Sequence, residues 1–177
     1  MTRSDLEHVI RAAAGIADED HLIIVGSQAI LGQFPEAPEV LLRSVGADLF
    51  PRDAPEKADL IDGSVGEGSP FHETFGYYAQ GVGPETATLP ARWEERLFRI
   101  HNENTGRATG WSLEIHDLLV SKYVAGREKD LAFIRAAIEH GLVDGETLAA
   151  RLASTPIEEG RRMEIAASIR RNLGGTE

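Results

Sequence analysis

Residues 22–27 read Leu-Ile-Ile-Val-Gly-Ser, and no other stretch constrains the fold as much. Four apolar residues in a row, bounded by turn residues and rich in β-branched side chains, suit a buried strand. Glycine and serine end it, a pattern of helical period runs from Gln28 to Phe34, and Pro35 stops that helix. Two readings of the turn stand side by side. Small residues at a strand-to-helix turn let backbone N–H groups approach a phosphate; the same turn also suits a plain reversal with Ser27 as the helix N-cap.

The flanking sequence supplies the rest of the sheet. Ser4 with Glu7 three residues on forms a capping box, and Leu6, Val9, Ile10, Ala13 and Ala14 recur at helical spacing until Gly15. Strands are expected over 21–25, 43–51, 74–82, 96–101 and 111–115, with a helix over 55–63 led by proline and closed by glycine. After Ile115 only helical patterns remain: 116–125, 128–140, 146–153, and a last helix from Thr155 as N-cap to Leu173. The fold class is therefore α+β, a mixed sheet in the first two-thirds with a helical C-terminal third. The expected organisation is an α/β core over 1–115 and a helical part over 116–177 packed on it.

Composition removes several classes of function. The 177 residues contain no cysteine, which excludes disulfides, zinc–thiolate sites and a cysteine nucleophile. No segment approaches the roughly 18 consecutive apolar residues of a membrane span, so no membrane partner is expected and the location expected is cytoplasmic. A net charge of -11 repels nucleic-acid backbones in general, yet a few local cations suffice to hold a nucleotide. The six histidines show no metal-ligand spacing, and the arginine pairs 161–162 and 170–171 read more readily as a solvated helix face than as an RNA strip. Gly63, Gly66 and Gly68 form a loop without the lysine and hydroxyl of a phosphate-binding P-loop.

Two acidic stretches share one pattern, an acid between apolar residues: Ala47-Asp48-Leu49 and Leu113-Glu114-Ile115. Asp48, on the strand after the Gly-Ser turn, lies near the same sheet edge, where a carboxylate can hold a divalent cation or cap the segment before Pro51. Further on, Lys122, Arg127, Lys129 and Asp130 cluster in K-Y-V-A-G-R-E-K-D. They suit phosphate contacts, and they equally suit a surface ion-pair cluster in which Arg127 and Asp130, three apart, pair with each other.

The strand, Gly-Ser, helix, strand, acid order resembles the nucleotidyltransferase fold of the DNA polymerase beta type. The second motif resembles the Lys-x4-Arg-x-Lys-Asp signature of the AbiEii-type toxin nucleotidyltransferases and their uncharacterised DUF6036-like relatives. The resemblance implies a nucleoside triphosphate bound with Mg2+ and a nucleotidyl group passed to a hydroxyl on RNA, protein or a small molecule, with a cognate partner protein beside it. It implies Asp48, Glu114 and Lys122 as catalytic residues, Asp48 and Glu114 as metal ligands, and Gly26, Ser27, Arg127, Lys129 and Asp130 as the nucleotide site. One departure stands out: the family's first paired acid is Gly46 here. The alternative it raises is a binding or interaction module that has lost catalysis. On this basis Asp48→Ala and Lys122→Ala are each expected to abolish Mg2+-dependent binding and leave the fold intact.

Overall fold

A computed structural model of the chain describes residues 1–174. The elements are α1 (Arg3–Ala17), β1 (His21–Val25), α2 (Ile30–Gln33), β2 (Gly46–Pro51), α3 (Ala58–Val65), α4 (Pro70–Phe75), β3 (Tyr78–Gly81), β4 (Phe98–Ile100) and β5 (Thr109–Ser112). Four helices complete them: α5 (Ile115–Ala125), α6 (Glu128–Glu139), α7 (Gly145–Ala153) and α8 (Glu159–Asn172). This is the α+β architecture that the patterning predicts, a mixed sheet followed by helices.

The five strands lie in the order β3-β2-β1-β5-β4, which puts β1 at the centre. It runs antiparallel to β2 and parallel to β5, and its Leu22 and Ile24 are fully buried while Ile23 and Val25 are nearly so. A strand covered on both faces has no reason to alternate, and this explains its unbroken apolar run. Ile10 of α1 packs on the face that carries Ile24 and Gly110, and α3 presses its Ala58 carbonyl toward Gly81 on that same side. Side chains alternate along a strand, so Val25 and its cross-strand partner Asp48 point to the opposite face.

Local chemistry moves several boundaries. Thr2, not Ser4, caps α1, in a reciprocal box with Asp5. Residues expected in the strand over 74–82 begin instead in α4, whose N-cap Ser69 accepts from His72 N–H, because the proline at the first turn favours a helix. Thr155 does not cap α8; its hydroxyl donates to the Arg151 carbonyl and closes α7, and α8 begins at Glu159. Arg162 donates to carbonyls of Leu152, Ala153, Thr155 and Ile157, and Arg161 to those of Tyr123 and Val124, so this arginine pair staples helix ends. One hydrophobic cluster runs from Leu6 to Ile169, joining the sheet to the C-terminal helices. Among the described residues no helix is long and apolar enough to cross a membrane.

Candidate nucleotide cleft

The central strand ends in a turn that only glycine can make. Gly26 has φ 67°, and a Cβ there would lie 2.2 Å from Asp48 Oδ2. A side chain at 26 would be strained by its backbone and would collide with the one carboxylate beside it. Ser27 then starts a 3-10 turn over Ser27–Ala29, with Gly26 rather than serine in the capping position and no side-chain cap bond. The serine hydroxyl is used otherwise: it accepts from Lys122 Nζ at 2.9 Å.

The spacing of the lysine–arginine motif is explained by a corner, not by one helix face. Gly126, with φ 64°, ends α5 in the left-handed conformation, and its N–H closes back on the Lys122 carbonyl. Arg127 occupies the N-cap position of α6 and Asp130 lies in that helix's first turn. Lys122 therefore comes from the end of one helix and Asp130 from the start of the next. Their side chains meet at 3.0 Å while Arg127 Nε donates to the other Asp130 oxygen at 2.6 Å. The Lys122 ammonium also lies 4.5 Å from the Phe133 ring centroid.

Burial sets the electrostatics of this cluster. Lys122 is 6% exposed and Asp130 is fully buried, whereas the Arg127 side chain is 63% exposed and reaches solvent. Burial lowers the Lys122 pKa more than Asp130 restores it. Burial also pushes the Asp130 carboxyl upward, but Arg127 and Lys122 outweigh it and hold it below the usual carboxylate range. Asp48 goes the other way. Burial raises its pKa against the pull of Lys122, Lys129 and Arg127, and no hydrogen bond from the described residues offsets that burial.

Gly26, Ser27, Asp48, Lys122, Arg127, Lys129 and Asp130 all line one cleft of about 580 Å³. Seven of the eight residues singled out in the sequence thus come together. The eighth does not. The strand expected over 111–115 stops at Ser112, and Glu114 caps α5, accepting from the backbone N–H groups of His116 and Asp117. The His116 Nε2 accepts the Asp144 N–H, which leaves Nδ1 to donate to Glu114. The placement of Glu114 beside Asp48 as a metal ligand is corrected accordingly: its oxygens are already engaged at a helix N-terminus, and it does not line the cleft.

Among the lining residues that the sequence reading does not single out, three carry polar groups of consequence. Tyr78 and Gln80 stand on β3 opposite Gly46 and Asp48, and Arg43 lies at the rim. Alternation in Y-A-Q-G was visible, but which strand it pairs with is a tertiary fact. The Tyr78 ring occupies the space above Gly46, where a Cβ would come within 2.6 Å of the ring. The residues present do not fit the paired-carboxylate Mg2+ site that the resemblance implies: position 46 has no acid and lies under the Tyr78 ring, position 80 is an amide, and Glu114 does not line the cleft. Among the described residues no group of three or more histidines or acids is arranged to hold a metal.

A Gly-Ser turn on the central strand, faced by an acid and by cations from the later helices, agrees with the nucleotidyltransferase resemblance. Residues 4–170 match the family described as "Nucleotidyltransferase of unknown function (DUF6036)", and the chain belongs to that family. No curated protein and no solved structure matches it.

Proposed function

We propose that the protein binds the phosphate chain of a nucleoside triphosphate in this cleft and serves as a nucleotide-binding member of the nucleotidyltransferase fold. The observation that carries the reading is the Ser27–Lys122–Asp130–Arg127 chain of hydrogen bonds, which fixes the cluster behind the Gly-Ser turn. With Arg127 Nε anchored on Asp130, the outer edge of its guanidinium is left to grip phosphate oxygens in pairs. Lys129 and Arg43 are exposed at the rim and add charge. Asp48 cannot contact phosphate without repulsion; its carboxylate suits a hydroxyl, such as one on the ribose.

A second reading is transfer, and the free Asp48 favours it. A carboxylate raised by burial is a better general base near neutral pH. In that reaction an acceptor hydroxyl gives its proton to Asp48, its oxygen bonds to the α-phosphorus, the bond to the β-phosphate oxygen breaks, and pyrophosphate leaves. An RNA or protein acceptor and a cognate partner stay with the toxin-like resemblance and gain no residue from the cleft. The test is calorimetric titration of the full chain with each of the four ribonucleoside triphosphates. Binding of at least one is expected, weakened in Arg127→Ala; no heat with any of them at millimolar ligand overturns the proposal.

A further inference from the structure

The cleft departs from a metal-dependent design at the place where the second carboxylate would stand. Gly46 and Asp48 are two apart on β2 and share a face, so an acid at 46 would point into the cleft beside Asp48. That space is filled. A Cβ at 46 would lie 2.6 Å from Tyr78 Cε2 and Cζ and 2.8 Å from its hydroxyl oxygen.

The tyrosine is held where it is. It pairs with Gly46 in register, and its ring packs on His72 with centroids 4.7 Å apart. His72 is in turn fixed, since its Nδ1 accepts the Gly68 N–H at 3.0 Å and its own N–H donates to Ser69. The loop, α4 and β3 together build a plug over Gly46.

The charge that a metal would supply is present in another form. Arg43, Lys122, Arg127 and Lys129 face the cleft against two carboxylates, and one of those, Asp130, is already paired with both Lys122 and Arg127. In a chain of net charge -11 this is a local positive enclave. A dication brought to Asp48 would enter the field of Lys122, Lys129 and Arg127, which all act on that carboxylate. A polyphosphate meets the same field as attraction.

We infer that the cleft holds its polyphosphate ligand without a divalent cation, side-chain cations replacing the metal and the Tyr78–His72 plug filling the vacated ligand position. The inference rests on the nucleotide-binding reading and goes beyond it by assigning how the phosphate charge is met.

The test is calorimetric titration of the full chain with inorganic tripolyphosphate, once in EDTA and once in excess Mg2+. Binding in EDTA is expected to be at least as tight as in Mg2+, because the free metal competes for the same phosphate oxygens. Lys129→Ala, at an exposed position, should retain its melting temperature and lose about tenfold in affinity, the worth of one charged hydrogen bond. Binding about tenfold or more tighter with Mg2+ overturns the inference and leaves the nucleotide-binding reading standing. Binding unchanged in Lys129→Ala overturns the inference by placing the anion elsewhere, and absence of binding in both buffers overturns the inference and the nucleotide-binding reading together.

Discussion

Ala47-Asp48-Leu49 and Leu113-Glu114-Ile115 have the same pattern of acid between apolar neighbours, and the fold gives them opposite fates. Glu114 is satisfied from three sides, by two backbone N–H groups and the His116 ring, and these bonds outweigh its burial and lower its pKa. Asp48 is half-buried against Gly26 with no hydrogen-bond donor among the described residues, and desolvation raises its pKa. A carboxylate whose lone pairs are all matched stabilises the structure around it. One left open beside cations costs stability and keeps its reactivity, and such a group marks a site.

The contrast is broken most directly through the cations that face Asp48. Lys122 is nearly buried and holds both Ser27 and Asp130, so Lys122→Ala leaves Asp130 inside the protein with Arg127 as its remaining partner. Removing one member of a buried pair typically costs about 3 kcal/mol or more. The variant is therefore expected to lose nucleotide binding and also to unfold at markedly lower urea. The burial of Lys122 thus argues against the intact fold expected from sequence for this variant. Urea denaturation followed by circular dichroism checks it; a midpoint equal to wild type would mean that the buried cluster is not structural.

Glu114→Ala sharpens the comparison from the other side. It removes the cap of α5 and the partner of the His116 ring, at an expected cost of about 1 to 2 kcal/mol. Nucleotide affinity should stay within error of wild type, because Glu114 does not line the cleft. A variant with native stability and no nucleotide binding would reverse the assignment of the two acids.

How much of this was legible in the sequence depends on the range of the interaction. Local signals read well: the run Leu22–Val25 gave the buried strand, and the order of strand, Gly-Ser, strand and acid gave the class of fold. The spacing from Lys122 to Asp130 brought together residues that the structure places in one cluster. The break between the two helices is legible, and so is the Arg127–Asp130 pair, but the way Lys122 folds back onto Asp130 depends on Gly126 adopting a positive φ. Glu114 failed because an acid between apolar residues fits a strand and equally fits an N-cap. The helix start is met by a contact distant in sequence, since Gln33 Oε1 accepts the Ile115 N–H from 82 residues away. Tyr78 could not be found at all, since only strand pairing brings it over Gly46.

Asp48→Asn makes the smallest expected change and discriminates most finely. A group whose folded pKa is raised above its unfolded value binds protons more readily in the native state, so its ionisation lowers stability as pH rises between the two values. At neutral pH the aspartate of the wild type thus opposes folding, and the neutral amide should raise stability by about 1 kcal/mol, in the manner of substitutions that relieve a functional site. The gain should vanish below the ordinary carboxylate range, where Asp48 is protonated in both states, and be complete above its raised folded pKa. Melting curves of the two proteins across that window measure it. Tripolyphosphate binding should persist or tighten in the same variant, because a negative charge has left an anion site; if the carboxylate instead anchors a required cation, the variant gains stability and loses binding.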